Sequence, residues 1–333
     1  MDRPPPVVAP SSSLPAGGAR AVLEASARST GDAALVLVLE TSGSTYVRAG
    51  ALALFGRDGT QAGWLSGGCL EPDIARLALD ASARDRLGWM EIDTRSDEDL
   101  LSGSAVGCRG HLRLALLPLA RLGDWGSLVE AWRDGAGALR IALQADGRLA
   151  MSVGTRSSAH TLPADALPWA DAPACWNVSI APPPSVLVLG AGPETPMLLP
   201  LLRALGAVAT LVERRPRWAG AGALADVALA QTPTQALATM ARAHDAALVM
   251  HHHFELDREA LDALAGSAIG FVGLLGPVRR RDDLFRVLPP AARESLLPRL
   301  HSPVGLHLGG SGPEAIALSI AAQLQRHLHG ADA

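Results

Sequence analysis

Lysine is missing altogether: all 29 Lys+Arg positions in these 333 residues are arginine. That excludes Schiff-base chemistry on a lysine and the phosphate-gripping lysine of a P-loop. A compositional preference for Arg and Ala accounts for the bias without a functional reason. Cysteine is scarce, with only Cys69, Cys108 and Cys175. Three residues so far apart make neither a disulfide framework nor a paired-cysteine metal site, so any role they have is as thiols. Long apolar runs are also lacking. The longest uncharged apolar stretch, 263–278, is glycine-containing and shorter than the roughly 20 residues a membrane span needs. The opening MDRPPPVVAPSSS has an acid at position 2, three consecutive prolines and no apolar h-region, so a cytoplasmic protein is expected, without a membrane partner. No basic excess exists either: the net charge of −4 argues against nucleic acid as a partner.

What is present is enough apolar material for real cores, since 48% of the residues are hydrophobic and only 19% charged. At roughly 150 residues per domain, the length points to about two domains. After a Pro/Ser tail (1–17), the region 18–153 reads as a mixed α and β domain. It starts with a short helix at 19–29 and a continuous apolar strand at 33–40. Runs at 50–55 and 60–65 flank Arg57-Asp58-Gly59 as a hairpin. A helix at 70–87 follows, with further strands at 112–117, 139–143 and 149–153, the last two joined at Ala145-Asp146-Gly147. Periodicity then fades into Ser, Pro, Ala and Trp, and 154–184, ending in three prolines, reads as a linker. From 185 to 330 strand and helix alternate: a strand at 185–189, Gly190-Ala191-Gly192, a helix to 205, a strand at 207–212, strands at 246–250 and 269–274, and helices at 257–264 and 313–328. That alternation predicts a doubly wound parallel sheet with helices on both faces.

Gly190-Ala191-Gly192-Pro193-Glu194-Thr195 lies where a dinucleotide fingerprint belongs, and Glu213 lies 23 residues beyond Gly190, in place to receive a ribose hydroxyl. The third glycine of the pattern is Thr195. Two readings stand: a site for NAD(P) or another nucleotide, or a Rossmann turn whose glycines only shape the chain. His251, His252 and His253 follow the 246–250 strand at the ligand-binding edge of the sheet. Consecutive residues on an extended chain point to opposite faces, so at most two could converge on an ion, and hydrogen bonding to a ligand is the other reading. His252 is the candidate for such a ligand contact. Asp257 either supports such a site or caps the following helix, and Arg279, Arg280 and Arg281 read as a solvated helix face.

In the first half, Ser66-Gly67-Gly68-Cys69-Leu70-Glu71 is the most informative stretch. Gly67 and Gly68 let a ligand approach the backbone, and Cys69 falls at a helix start, where the dipole favours a thiolate. The alternative is a buried cysteine beside a tight turn. Gly107-Cys108-Arg109-Gly110 repeats the arrangement beside a fixed positive charge. Gly43-Ser44-Thr45-Tyr46-Val47-Arg48 offers hydroxyls, amides and a guanidinium suited to an anion. Gly309-Gly310-Ser311-Gly312 before the last helix either binds an anion or turns the chain.

In this order, GSTYVRAGALALFGRDGTQAGWLSGGCLEPDI, VLVLGAG, VERRP, HHHFELD, FVGLLGPVRRR and HSPVGLHLGGSGPEAIALSIAAQL resemble the XdhC/CoxI family, accessory proteins of molybdenum hydroxylases such as xanthine dehydrogenase. The resemblance covers most of the chain. It implies an XdhC/CoxI domain followed by a Rossmann domain. It further implies that the chain binds the molybdenum cofactor (molybdopterin), protects it, assists replacement of its oxo ligand by sulfide, and delivers it to an apo molybdenum hydroxylase. A cysteine desulfurase as a second partner and a homodimer are implied in the same way. On the resemblance, Cys69 is the first thiolate contact to the cofactor and its molybdenum and Cys108 the second, with the loop amides of Gly67 and Gly68 and Arg109 receiving phosphate; Gly43, Ser44 and Arg48 are further candidates for the cofactor. The chain departs from the family pattern at Arg109, Pro193 and Gly312-Pro313-Glu314-Ala315. Two classes of function follow: a cofactor-binding chaperone without turnover, and a Rossmann-fold NAD(P)-dependent oxidoreductase. The second has no evident use for two Gly-Cys loops and finds no tyrosine-lysine pair here.

Overall fold

The computed structural model describes residues 18–29, 32–95, 109–240 and 242–330. The chain divides into two units, residues 1–129 with 140–180 and residues 130–139 with 181–333. Among the described residues no helix is long and apolar enough to cross a membrane.

After helix α1 (Ala19–Arg28), the first unit is organised around β1 (Ala33–Gly43), the centre of a five-stranded antiparallel sheet. On one side it pairs with β2 (Leu52–Gly56), then β3 (Gln61–Ala62); beyond its other side lie β5 (Gly110–Pro118) and, at the edge, β4 (Gly88–Asp93). The first seven residues of β1 are buried on both faces, which is why they read as an unbroken apolar run and not as an alternation. Ala34, Val36 and Val38 meet Ile74, Ala78 and Ala81 of α2 (Glu71–Ala83). Spacings of four and three put those three residues on one helical stripe, and Pro72 in the first turn has no intrahelical bond to lose. The strand expected over 60–65 is cut to two residues because Gly63 leaves the extended region (φ +85°) and turns the chain toward Cys69. α3 (Trp125–Arg133) follows β5.

A second, four-stranded sheet of order β8-β7-β6-β9 contains β6 (Leu139–Gln144), β7 (Arg148–Val153), β8 (Arg156–Thr161) and β9 (Cys175–Ile180). Two of these strands lie in the stretch read from sequence as a linker. β8 folds back on β7 through Gly154-Thr155, with Gly154 at φ +55°, and is mostly exposed, so its polar sequence gives no hydrophobic signal. β9 does alternate, with Trp176, Val178 and Ile180 facing inward.

The second unit is the expected doubly wound α/β fold. Its strands β10 (Ser185–Leu189), β11 (Val208–Val212), β12 (Val227–Leu229), β13 (Ala246–Val249), β14 (Phe271–Leu274) and β15 (Leu300–His301) are all parallel, in the order β12-β11-β10-β13-β14-β15. Val186 and Val188 of β10 pack against α4 (Thr195–Ala204) and α9 (Pro313–His329) through Leu198, Leu202 and Ile320. Leu187 and Leu189 point to the other face, which packs Leu261 of α6 (Phe254–Ala265) and Leu284 of α7 (Val278–Val287). The remaining helices are α5 (Pro233–Thr239), which opens with a capping box between Thr232 and Gln235, and α8 (Pro290–Leu296). Strand order reverses between β10 and β13, so the segments leaving their carboxyl ends border the crevice where such sheets bind ligands.

The turn at Gly63 can be tested directly. A Cβ there would overlap the carbonyl oxygen of Leu52 and come within 2.7 Å of Val22 Cγ2, in a backbone conformation that disfavours side chains. Gly63→Ala should lower unfolding stability by about 2 kcal/mol or more in urea titrations; a loss under about 0.5 kcal/mol would show that the turn relaxes freely.

Candidate functional site

The first unit gathers its glycine loops at one end of its sheet. Ser82 Oγ, near the end of α2, donates to Ala33 O at the start of β1 (3.2 Å). The other end of α2, with the Cys69 loop before it, therefore lies where β1 finishes at Gly43 and β5 begins at Gly110. There Ser44 N donates to Arg109 O at 3.0 Å, and a Cβ on Gly43 would sit 2.7 Å from the same oxygen. The loop that continues to Arg48 is held by Thr45 Oγ1 donating to Val47 O (2.6 Å), and Ser44, Arg48 and Arg109 are exposed. Gly43, Ser44 and Arg109 thus meet at this end of the sheet, and Gly67, Gly68 and Cys69 precede the start of α2. Cys108 and Gly107 lie outside the described residues.

Cys69 is exposed, so the reading of a buried thiol is set aside. A Cβ on Gly67 would meet nothing within 4 Å, and one on Gly68 only the Trp64 ring at 3.9 Å: the backbone here is open to an approaching group. What gives the loop its shape is a pair of residues that the sequence reading passed over. Glu71, 5% exposed, accepts hydrogen bonds from Leu65 N (3.0 Å), Ser66 N (2.8 Å) and the Ser66 hydroxyl. Ser66 Oγ in turn accepts from Gly68 N (3.3 Å) and Leu70 N (3.2 Å), and lies 3.8 Å from Cys69 Sγ. Burial pushes the Glu71 carboxyl up, but the three donors outweigh it and hold the group below the usual carboxylate range. The signal available in the sequence was the serine and glutamate bracketing Gly-Gly-Cys.

The second unit carries the other candidates, and here the reading changes. Glu213 does not offer a free carboxylate: it accepts from Ala191 N (2.8 Å), Arg215 N (2.7 Å) and the Arg215 guanidinium. Burial alone would raise its pKa; the Arg215 and Ala191 donors bring it below the usual range. Arg215 also donates to Ala191 O (2.7 Å) and His251 O (2.8 Å), so Arg215 is neither a solvent-facing residue nor open to a phosphate. Thr195, at the third glycine position, is fully buried and accepts the Gly192 N–H at 2.8 Å. The histidines diverge. His251 is buried with Nδ1 3.2 Å from Asp257 Oδ1, while His252, at φ +53°, places Nε2 3.0 Å from Glu194 Oε2. Among the described residues no set of three or more His, Cys, Asp or Glu could hold a metal ion. Asp257 does more than start a helix, since its second oxygen accepts from Arg280 Nε (3.2 Å); Arg280 is thereby removed from the solvated face expected for residues 279–281. The glycines at 309–310 line a cavity with Leu275, Val304 and Ile316.

The Ser66–Glu71 anchor sets a pH dependence. A carboxyl held below its unfolded value of 4.5 stabilises the fold above that pH, and the contribution is lost as the pH falls through the lower folded value. Glu71→Gln should cost about 1–3 kcal/mol at neutral pH in urea unfolding, and the deficit should shrink below pH 4.5; a deficit that stays constant down to pH 3 would remove the ionised carboxylate as the anchor.

Comparison with known proteins agrees with both halves. Residues 16–93 match the model of the XdhC and CoxI family, and residues 186–324 match that of the XdhC Rossmann domain. A protein of Bacillus subtilis (strain 168) named as a probable xanthine dehydrogenase subunit is 26% identical over 325 residues, covering 92% of this chain and 97% of that one. A shorter match, 40% over 70 residues, links 20% of this chain to 13% of the uncharacterized protein YqeB of Escherichia coli (strain K12). A crystal structure described as a xanthine dehydrogenase from Bacillus halodurans superposes with a TM-score of 0.75 at 28% identity, covering 92% of this chain and 95% of that one. With the two models in the order of the two units and likeness along nearly the whole length, the chain belongs to the XdhC and CoxI family.

Proposed function

We propose that this protein is an accessory factor that binds the molybdenum cofactor, protects it, and supports its sulfuration and insertion into a molybdenum hydroxylase of the xanthine dehydrogenase type. The observation that carries the reading is the exposed Cys69 thiol on an open Gly-Gly backbone, anchored from below by Ser66 and Glu71. Molybdenum favours soft sulfur donors, and the pterin phosphate favours amides and guanidinium groups. The residues fit both demands: Cys69 would hold the metal end, while Arg48, Arg109 and the amides near Gly43 and Ser44 would hold the anionic end. When bound, the cofactor supplies the molybdenum whose oxo ligand is exchanged for sulfide. The chain's part is to present the thiol and leave room above Gly67 and Gly68.

A xanthine dehydrogenase-type client is supported by the name of the full-length Bacillus subtilis relative. The homodimer, the cysteine desulfurase partner and a cytoplasmic location belong to the same proposal. It makes the protein a carrier without turnover of its own.

The test is anaerobic purification from a host that makes molybdenum cofactor, followed by oxidative release of the pterin and fluorescence detection. Wild type should yield pterin, and Cys69→Ser should yield less by about tenfold or more, the scale on which an altered metal environment acts. Equal pterin from both proteins would remove Cys69 from the site; none from wild type would remove the reading.

A further inference from the structure

A dinucleotide needs three things at the turn after the first Rossmann strand: free backbone N–H groups for its diphosphate, space beside the loop, and an unpaired acceptor for the ribose. In this chain its own groups take the space, the acceptor and the N–H groups of Gly190, Ala191, Gly192 and Thr195, leaving that of Glu194. Gly190 N donates to Val212 O (2.9 Å), Ala191 N to Glu213 Oε2 (2.8 Å) and Gly192 N to Thr195 Oγ1 (2.8 Å). Pro193 has no N–H, and Thr195 N donates back to Gly192 O (3.1 Å). The space is filled as well. A Cβ on Gly192 would lie 2.7 Å from His252 Nε2 and 2.8 Å from Glu194 Oε2; one on Gly190 would lie 2.5 Å from His251 Cγ. Glu194 is 4% exposed, a carboxylate set beside the loop where the diphosphate would go, with His252 as its partner. The acceptor, Glu213, is closed by Arg215.

We propose that the fingerprint turn of the second unit is filled by the chain's own carboxylates and excludes phosphate dinucleotides such as NADH and NADPH. Glu194 stands in for the diphosphate and Glu213 with Arg215 for the ribose contact. A diphosphate brought against Glu194 adds like charges a few ångströms apart in a half-buried site. That repulsion is worth on the order of a thousandfold in affinity. The turn keeps a different use: Arg215 joins Ala191 O to His251 O, and Glu194 joins its own turn to His252, so the segments leaving β10 and β13 are fastened together where a ligand would otherwise part them. This inference concerns the second unit alone and stands or falls apart from cofactor binding by the first.

The experiment titrates the full chain with NADH, NADPH and inorganic pyrophosphate by calorimetry, with nicotinamide fluorescence as a second readout. Wild type should show no saturation up to about 1 mM ligand. Two variants remove the obstruction by different routes. Glu194→Gln keeps the shape and drops the charge, while Glu194→Gly with Thr195→Gly frees the Gly192 amide and restores the third glycine. Each is checked for folding by circular dichroism. Pyrophosphate should bind at least one of them about tenfold or more tightly than it binds wild type. Saturable binding of NADH or NADPH to wild type below about 1 mM overturns the proposal. So do folded variants that bind pyrophosphate no better than wild type.

Discussion

A carboxylate taken out of water must be answered by donors, and in this protein those donors are largely backbone N–H groups. Glu71 takes the amides of Leu65 and Ser66, Glu213 those of Ala191 and Arg215, and Asp257 that of His251. Each pairing fixes a short segment at the end of a strand or the start of a helix, where the backbone has unsatisfied groups to offer. The loops that carry the chemistry owe their shape to these pairings. Arginine completes two of them, Arg215 for Glu213 and Arg280 for Asp257.

The same device gives opposite results in the two units. Around Glu71 the carboxylate lies beneath the loop, and the glycines above it remain open with an exposed thiol between them and the helix. Around Gly190, Glu213 takes the Ala191 amide, the Thr195 hydroxyl takes that of Gly192, and Glu194 is buried beside the turn. A glycine-rich turn at the start of a helix is therefore not evidence of a site until its N–H groups have been accounted for. The open loop supports a carrier role; the closed one argues against a nicotinamide reaction in the second unit.

The alternation of strand and helix after residue 185 was legible in the sequence because each β10-type strand is buried on both faces and each helix on one, so the hydrophobic pattern and the fold are the same information. The core of the first sheet was legible for the same reason in β1. β8 was not, because an exposed hairpin arm such as RSSAHT is fixed by its ladder to β7 and not by burial. At the sites, residue types were readable and pairings were not. Glycine and cysteine announced the loop at 66–71, but that Ser66 and Glu71 fold it depends on a hydroxyl and a carboxylate meeting within one turn. Likewise, Glu213, 23 residues beyond Gly190, lies beside the turn, since Ala191 N reaches it at 2.8 Å. Only the three-dimensional position of Arg215, two residues on, reveals that the acid is spoken for.

The Ser66 hydroxyl stands at the centre of its loop, taking two amides while giving its proton to Glu71. A loop tied in this way has little freedom left to surrender when a partner engages Cys69. Conformational entropy that flexible binding loops lose at the moment of capture has here already been spent in folding. A carrier that must hold a labile group and later hand it on can thus be tuned through the contacts of the group itself, with the scaffold beneath unchanged.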